Sequence, residues 1–200
     1  MLEYFSVVWM IVEALFSVGA GIFAGSVALV AFGGDSFIEL LSAYAVAMFL
    51  RRSQVMKAID GHDRELDIRT TEKITTALLF SLIPIIALAS AYSYFTGIRA
   101  EGSPLGIAVA IGAVAVMPYL WVEKARIGRE ADCLPLTIDA AESATCFFMA
   151  LALLGGLVVE FFLKISWVDY LATGIILLFV VREAVESYKE IGESRQGEES

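Results

Sequence analysis

Apolar positions fall in runs of about 20 residues, separated by short segments where the charges collect. That length matches the roughly 20 residues an α-helix needs to cross the ~30 Å hydrocarbon core of a bilayer. Six spans follow: Tyr4–Ala24, Val27–Leu50, Ile74–Thr96, Leu105–Trp121, Leu134–Phe162 and Trp167–Val181. The first two are nearly continuous, because residues 4 to 50 contain no Lys, Arg or Pro. Read as one helix they would reach about 70 Å, more than twice a bilayer core. The glycine-rich piece GAGIFAGS, Gly19 to Ser26, marks where they separate. The pattern predicts an all-α fold, a polytopic membrane protein with six transmembrane helices over residues 1–187. Residues 188–200 are polar, with few apolar anchors, and are expected to form a disordered cytoplasmic tail with no soluble domain after the last span. No basic segment precedes the first span, so no cleavable signal peptide is expected.

Charge orients the spans. Arg51, Arg52, Lys57, Arg64, Arg69 and Lys73 lie between spans two and three, and Lys124, Arg126 and Arg129 between four and five. Arg182, Lys189 and Arg195 follow the last span, while the other side has only Arg99 and Lys164. Twelve cations against two place both termini in the cytoplasm, and an even number of spans agrees with termini on one side. Composition agrees: 58% of residues are hydrophobic and the mean hydropathy is +0.76, where a soluble domain has about 45–50% apolar residues. The expected location is the cell membrane. The net charge of -9 comes in part from the acidic tail and says little about partners. No basic stripe or stacking platform stands out, so no nucleic-acid partner is expected. Cys133 and Cys146, if on one helix, are about 20 Å apart, too far for a disulfide.

Five acids fall inside spans: Glu13, Asp35, Glu39, Asp139 and Glu142. None has a Lys or Arg nearby on its own span. A charge at the bilayer centre costs about 2.5–3.5 kcal/mol on insertion scales. Five such costs are hard to tolerate for packing alone. Asp35 and Glu39 are spaced i,i+4 and Asp139 and Glu142 i,i+3, so each pair shares a helix face, and Cys146 lies one turn beyond Glu142. If the two pairs meet, with Glu13 beside them, they cannot all ionise without a counter-ion. A divalent metal serves, and protons compete with it for the same oxygens, which is the chemistry of an antiporter. Protonated, hydrogen-bonded acids in a structural core, and a pure proton pathway, are the competing readings.

The stretch GSVALVAFGGDSFIELLSA, Gly25 to Ala43, resembles the second-span signature of the cation diffusion facilitator family. There a Gly-Ser motif precedes two acids separated by three residues, and Asp35 and Glu39 fall on the two ligand positions. In ADCLPLTIDAAESATC, Asp139 matches the final Asp of the fifth-span signature, but Pro135 stands where the first ligand should be and cannot bind metal. Glu142 or Cys146 would have to compensate. A short branch of the family, lacking the cytoplasmic C-terminal domain, is similar over residues 4 to 187, including an acid in the first span as at Glu13. The resemblance implies a homodimeric, proton-coupled exporter of divalent transition metals, usually zinc. The expected ligands are Asp35, Glu39, Asp139 and Glu142, with Glu13 and Cys146 as lesser candidates.

The metal is cargo, not a cofactor, and no resident cofactor is expected. Carboxylates without histidine favour Mn2+ or Fe2+, whereas Cys146 favours Zn2+, Co2+ or Cd2+. No phosphate loop, Ser/His/Asp set or Cys-x-x-Cys site appears, so no enzyme is expected. The rival reading is a membrane metal-binding or structural module without transport. Asp169 and Glu160 read as interfacial acids, Asp169 with a possible place in an exit vestibule. Asp60, His62, Asp63 and Glu65 read as a solvated turn, with a loop metal site as the alternative. GIFAG, Gly21 to Gly25, reads as helix packing, and Trp121 and Trp167 as interfacial aromatics.

Overall fold

The computed structural model describes residues 2–55, 61–131 and 134–196, with backbone alone for 3, 42, 43, 45–55, 61–72, 75, 134, 135, 138 and 190–196. Asp60, the side chains of His62, Asp63, Glu65 and Pro135, Cys133 and residues 197–200 lie outside the described residues. Among the described residues the elements are six helices: α1 (Leu2–Ala24), α2 (Val27–Val55), α3 (Gly61–Thr96), α4 (Pro104–Glu130), α5 (Leu134–Leu163) and α6 (Trp167–Gln196). Four carry stretches long and apolar enough to cross a membrane: Tyr4–Ala24, Thr76–Thr96, Pro104–Glu130 and Asp139–Leu163.

Large apolar side chains face outward as well as inward, and several charged side chains are buried. Phe23 is 95% exposed and Phe95 83%, while Glu13, Asp35 and Lys124 are fully buried. Outward faces of this kind suit hydrocarbon, and inward charges need protein partners. This marks the chain as a membrane protein.

α2 is the centre of the bundle and touches α1, α3, α5 and α6. It breaks from α1 at Gly25, whose φ of 66° lies in the left-handed region that a glycine enters without strain. Immediately after the break the two helices fold back closely. A Cβ on Gly21 would stand 2.8 Å from Val30, and one on Gly33 2.8 Å from Val18. GIFAG is therefore a contact within the chain. α4 starts where Ser103 accepts from the Gly106 amide at 3.1 Å with Pro104 in the first turn, a favourable N-terminus because proline's missing N–H is not needed there.

The first turn of α2 is capped from another helix. Asp169 of α6 accepts from the Val27 amide at 3.0 Å and the Ala28 amide at 3.5 Å, and from Ser26 Oγ at 2.5 Å. The carboxylate satisfies otherwise orphaned amides at the positive end of the helix dipole. Asp169 is thus a structural cap that ties α6 to α2. Asp169→Ala removes all three hydrogen bonds from a buried site and is expected to lower stability by about 2–3 kcal/mol. Reversible unfolding in mixed micelles measures it; an unchanged midpoint would refute the capping role.

Four helices extend well beyond the spans drawn from the sequence: α2 to Val55, α3 back to Gly61, and α4 and α6 at their C-terminal ends. α6 runs past Val181 and Tyr188 to Gln196, since Glu, Lys, Arg and Gln all favour helix. α4 runs past Trp121 to Glu130, so Lys124 is no loop cation. Its buried stripe reads Gly106, Ala110, Ala113, Met117, Leu120, Lys124 and Gly128. That spacing of three and four residues is one helix face, and it carries Lys124 into the protein.

Candidate functional site

Asp35 and Glu39 come from α2, the helix that packs against α1, α3, α5 and α6, and both lie on its protein-facing side. Asp35 is 0% exposed and Glu39 2%. Among the described residues, neither oxygen of either carboxyl has a hydrogen-bond partner. Buried polar groups are nearly always paired, so four such oxygens on one helix turn need an explanation.

The neighbours of these acids are further acids. Glu39 feels the charges of Asp35, Glu183, Glu13 and Glu142, and Glu183 those of Asp35 and Glu142. The cluster draws on α1, α2, α5 and α6. Counting 1.5 Å per residue from the helix ends, Glu13 lies about 16 Å from Ala24, and Asp35 and Glu39 about 12 and 18 Å from Val27. That is near the middle of a ~30 Å hydrocarbon layer.

Glu13 differs from the α2 pair, because its carboxyl is well supplied. Trp9 Nε1 donates to Oε2 at 2.7 Å, Ser36 Oγ lies 2.7 Å from Oε1, and Cys146 Sγ 3.5 Å from Oε1. The thiol is buried and also senses Glu39 and Asp35. Glu13 and Cys146 therefore form a hydrogen-bonded wall of the cluster, linking α1, α2 and α5.

The fifth-helix acids part company. Glu142 is on the α2 side, within range of Glu39 and Glu183. Asp139 pairs with α4: Lys124 Nζ is 2.6 Å from its Oδ2, with side chains 0% and 1% exposed. Lys124 also reaches Ser143 Oγ at 3.4 Å. A cation thus already sits on Asp139, supplied by the neighbouring helix. No family model and no curated protein matches the chain.

Among the described residues, no three Asp, Glu, Cys or His side chains stand close enough to enclose a metal ion. The acids are within electrostatic range of each other but are not drawn into a coordination shell. At the far end of α5, Glu160 is buried beside Asp169. An open apolar groove of about 430 Å3 lies between α3 and α6, lined by Ala87, Ala91, Tyr94 and Gly174, and includes no acid.

Lys124 and Glu183 are the site residues that reading the sequence missed. Both lie beyond the spans drawn there, which end at Trp121 and Val181. The helical stripe was the available signal. On α6, Asp169, Thr173, Ile176, Val180 and Ala184 are buried, and Glu183 continues that face seven residues after Ile176.

Proposed function

We propose that this chain is a six-span protein of the cell membrane, with both termini cytoplasmic, that exchanges divalent transition-metal cations for protons. The cation path runs through the carboxylates of α2, with α5 opposite. The observation that carries the reading is the set of four buried oxygens on Asp35 and Glu39 without partners among the described residues. Such oxygens need a proton or a cation, and a site that can accept either couples the two. Mutual repulsion keeps unneutralised carboxylates apart, so this set has to close around its ion. The likeness of Gly25–Ala43 to the cation diffusion facilitator signature supports export from the cytoplasm, Zn2+ as the first candidate ion and a homodimer. The all-oxygen character of the acids keeps Fe2+ and Mn2+ in view, with Co2+ and Cd2+ as further probes.

The test uses purified protein in proteoliposomes with a pH dye inside, challenged in turn with the five ions. Proton movement with one or two of them is expected. The apparent affinity should weaken as pH falls, because protons compete for the same oxygens. Folded, correctly inserted protein that gives no flux with any ion would overturn the proposal. Saturable metal binding at fixed stoichiometry without flux would leave a non-transporting metal-binding module.

A further inference from the structure

The open groove between α3 and α6 has an aromatic end, small walls and a length close to half a bilayer. We infer that it holds one acyl chain of a phospholipid, in the leaflet on the side of the α3–α4 turn, with the headgroup phosphate at Arg99. The inference does not depend on the exchange reading and needs only the membrane.

α3 and α6 run antiparallel. Tyr94 packs edge-on against Tyr170 with ring centres 6.2 Å apart, and Phe80 against Tyr188 at the same distance. Between these contacts the groove runs from Tyr94 and Tyr170 down to Ile86 and Leu177. Eight residues of α3 separate its ends, or about 12 Å. Half of a ~30 Å hydrocarbon layer is ~15 Å, so the tail of a lipid in one leaflet matches that length. The volume is about 430 Å3, and the walls carry Ala87 and Ala91 from α3 and Gly174 from α6. Gly174 has no packing reason to be glycine. A Cβ there would meet nothing within 4 Å, and its φ is not positive. A mid-helix glycine weakens a helix relative to alanine. What its missing side chain leaves is room in the groove.

Lipid tails are as apolar as leucine, so inside a bilayer burial alone selects no occupant; packing and the headgroup do. An unfilled groove loses dispersion contacts along its walls, and a flexible chain recovers them in a short, irregular space. A helix of a second copy would need a line of contact approaching ~30 Å, more than twice this length. The aromatic end suits the headgroup level, where tyrosine rings collect. There Ser93 Oγ donates to the Ile98 carbonyl at 3.3 Å and Tyr170 Oη at 3.5 Å. These bonds fix the turn after α3 beside Tyr170, and the next residue is Arg99. The chain then leaves toward α1, where the Glu101 amide donates to the Ala24 carbonyl at 2.8 Å. Arg99 is exposed and makes no ion pair among the described residues. A guanidinium takes phosphate oxygens two at a time, so an anionic headgroup above the groove meets its counter-charge.

Native mass spectrometry of the full-length protein in detergent tests this, with phosphatidylglycerol or phosphatidylcholine of the same chains added. Wild type should retain one lipid, and hold phosphatidylglycerol about fivefold more tightly than phosphatidylcholine. Gly174→Leu fills the groove and should lower retention of both lipids about fivefold or more. Gly155→Leu is the control. Gly155 is also exposed in mid-helix with nothing within 4 Å of a Cβ, but it lies on α5, outside the groove. That variant should match wild type. Arg99→Gln should bring the two lipids to within about twofold of each other. If Gly174→Leu does not fold, Ala91→Leu fills the same groove from α3 and decides the matter. A wild type that retains no lipid, wild-type retention in the groove-filling variants, or equal loss in Gly155→Leu overturns the inference. A preference for phosphatidylglycerol that survives Arg99→Gln overturns the placement of the headgroup. A wild-type dimer that Gly174→Leu converts to monomer, with lipid retention unchanged, would make the groove a contact between copies and overturn the lipid assignment.

Discussion

Lys124→Met is expected to lower the stability of the folded protein by about 3–5 kcal/mol, the range for breaking one side of a buried ion pair. The methionine fills much of the space of the lysine stem. The loss is therefore not a cavity effect. It comes from Asp139, which is left 1% exposed with its 2.6 Å partner gone. The second replacement, Asp139→Leu, made on top of the first, removes the stranded carboxyl. Together the pair should return stability to within about 1 kcal/mol of wild type or above it, since apolar replacement of a whole buried pair is often neutral or stabilising. A double-mutant cycle by unfolding in mixed micelles measures the coupling. Additive losses would mean that Lys124 and Asp139 do not depend on each other, and that the short contact contributes little.

The division of labour among the helices was legible to different depths. Long apolar runs placed the six helices and the break at Gly25, though not their polar ends, because burial in hydrocarbon leaves a direct mark on composition. Charged residues misled at the ends. Lys124 and Glu183 each follow the last strongly apolar turn, and hydropathy alone assigns such residues to the water side. Whether a charge is buried depends on the helix that covers it, and the pairing of α4 with α5, or of α6 with α2, is not written in either segment. The periodic stripe through Met117, Leu120 and Lys124 carries that information only once the stripe is known to face protein.

The same limit applies to α5. Asp139 and Glu142 share a face on a helical wheel, yet α5 packs on α4, α2 and α6. A face shared in sequence is divided in space, one acid to a lysine and one to the acid cluster. Glu13 shows the intermediate case. Its bond from Trp9 is an i,i+4 contact readable from spacing, while those from Ser36 and Cys146 span 23 and 133 residues and are not.

Glu39→Met should act on stability in the opposite sense to Lys124→Met, although the new side chain is the same. Methionine is unbranched and close in length to glutamate, so packing changes little. What disappears is a carboxyl that is 2% exposed, has no hydrogen-bond partner among the described residues and sits among Asp35, Glu183, Glu13 and Glu142. Removing an unsatisfied buried polar group relieves a cost of about 1–3 kcal/mol, and relief of like-charge repulsion adds to it. The metal-free protein should therefore be more stable by about that amount, measured by unfolding with a chelator present. Cation-driven proton flux should fall at least a hundredfold in the same variant, because one of the two α2 carboxylates is gone. The two readouts separate function from architecture. An acid kept for packing, hydrogen-bonded in the core, would cost stability when replaced and leave flux, if any, intact. A stable variant without flux identifies Glu39 as a residue retained against stability, which is what a site that binds and releases an ion requires. A Glu39→Met protein that is markedly less stable than wild type would refute that and place the carboxylate in the structural core.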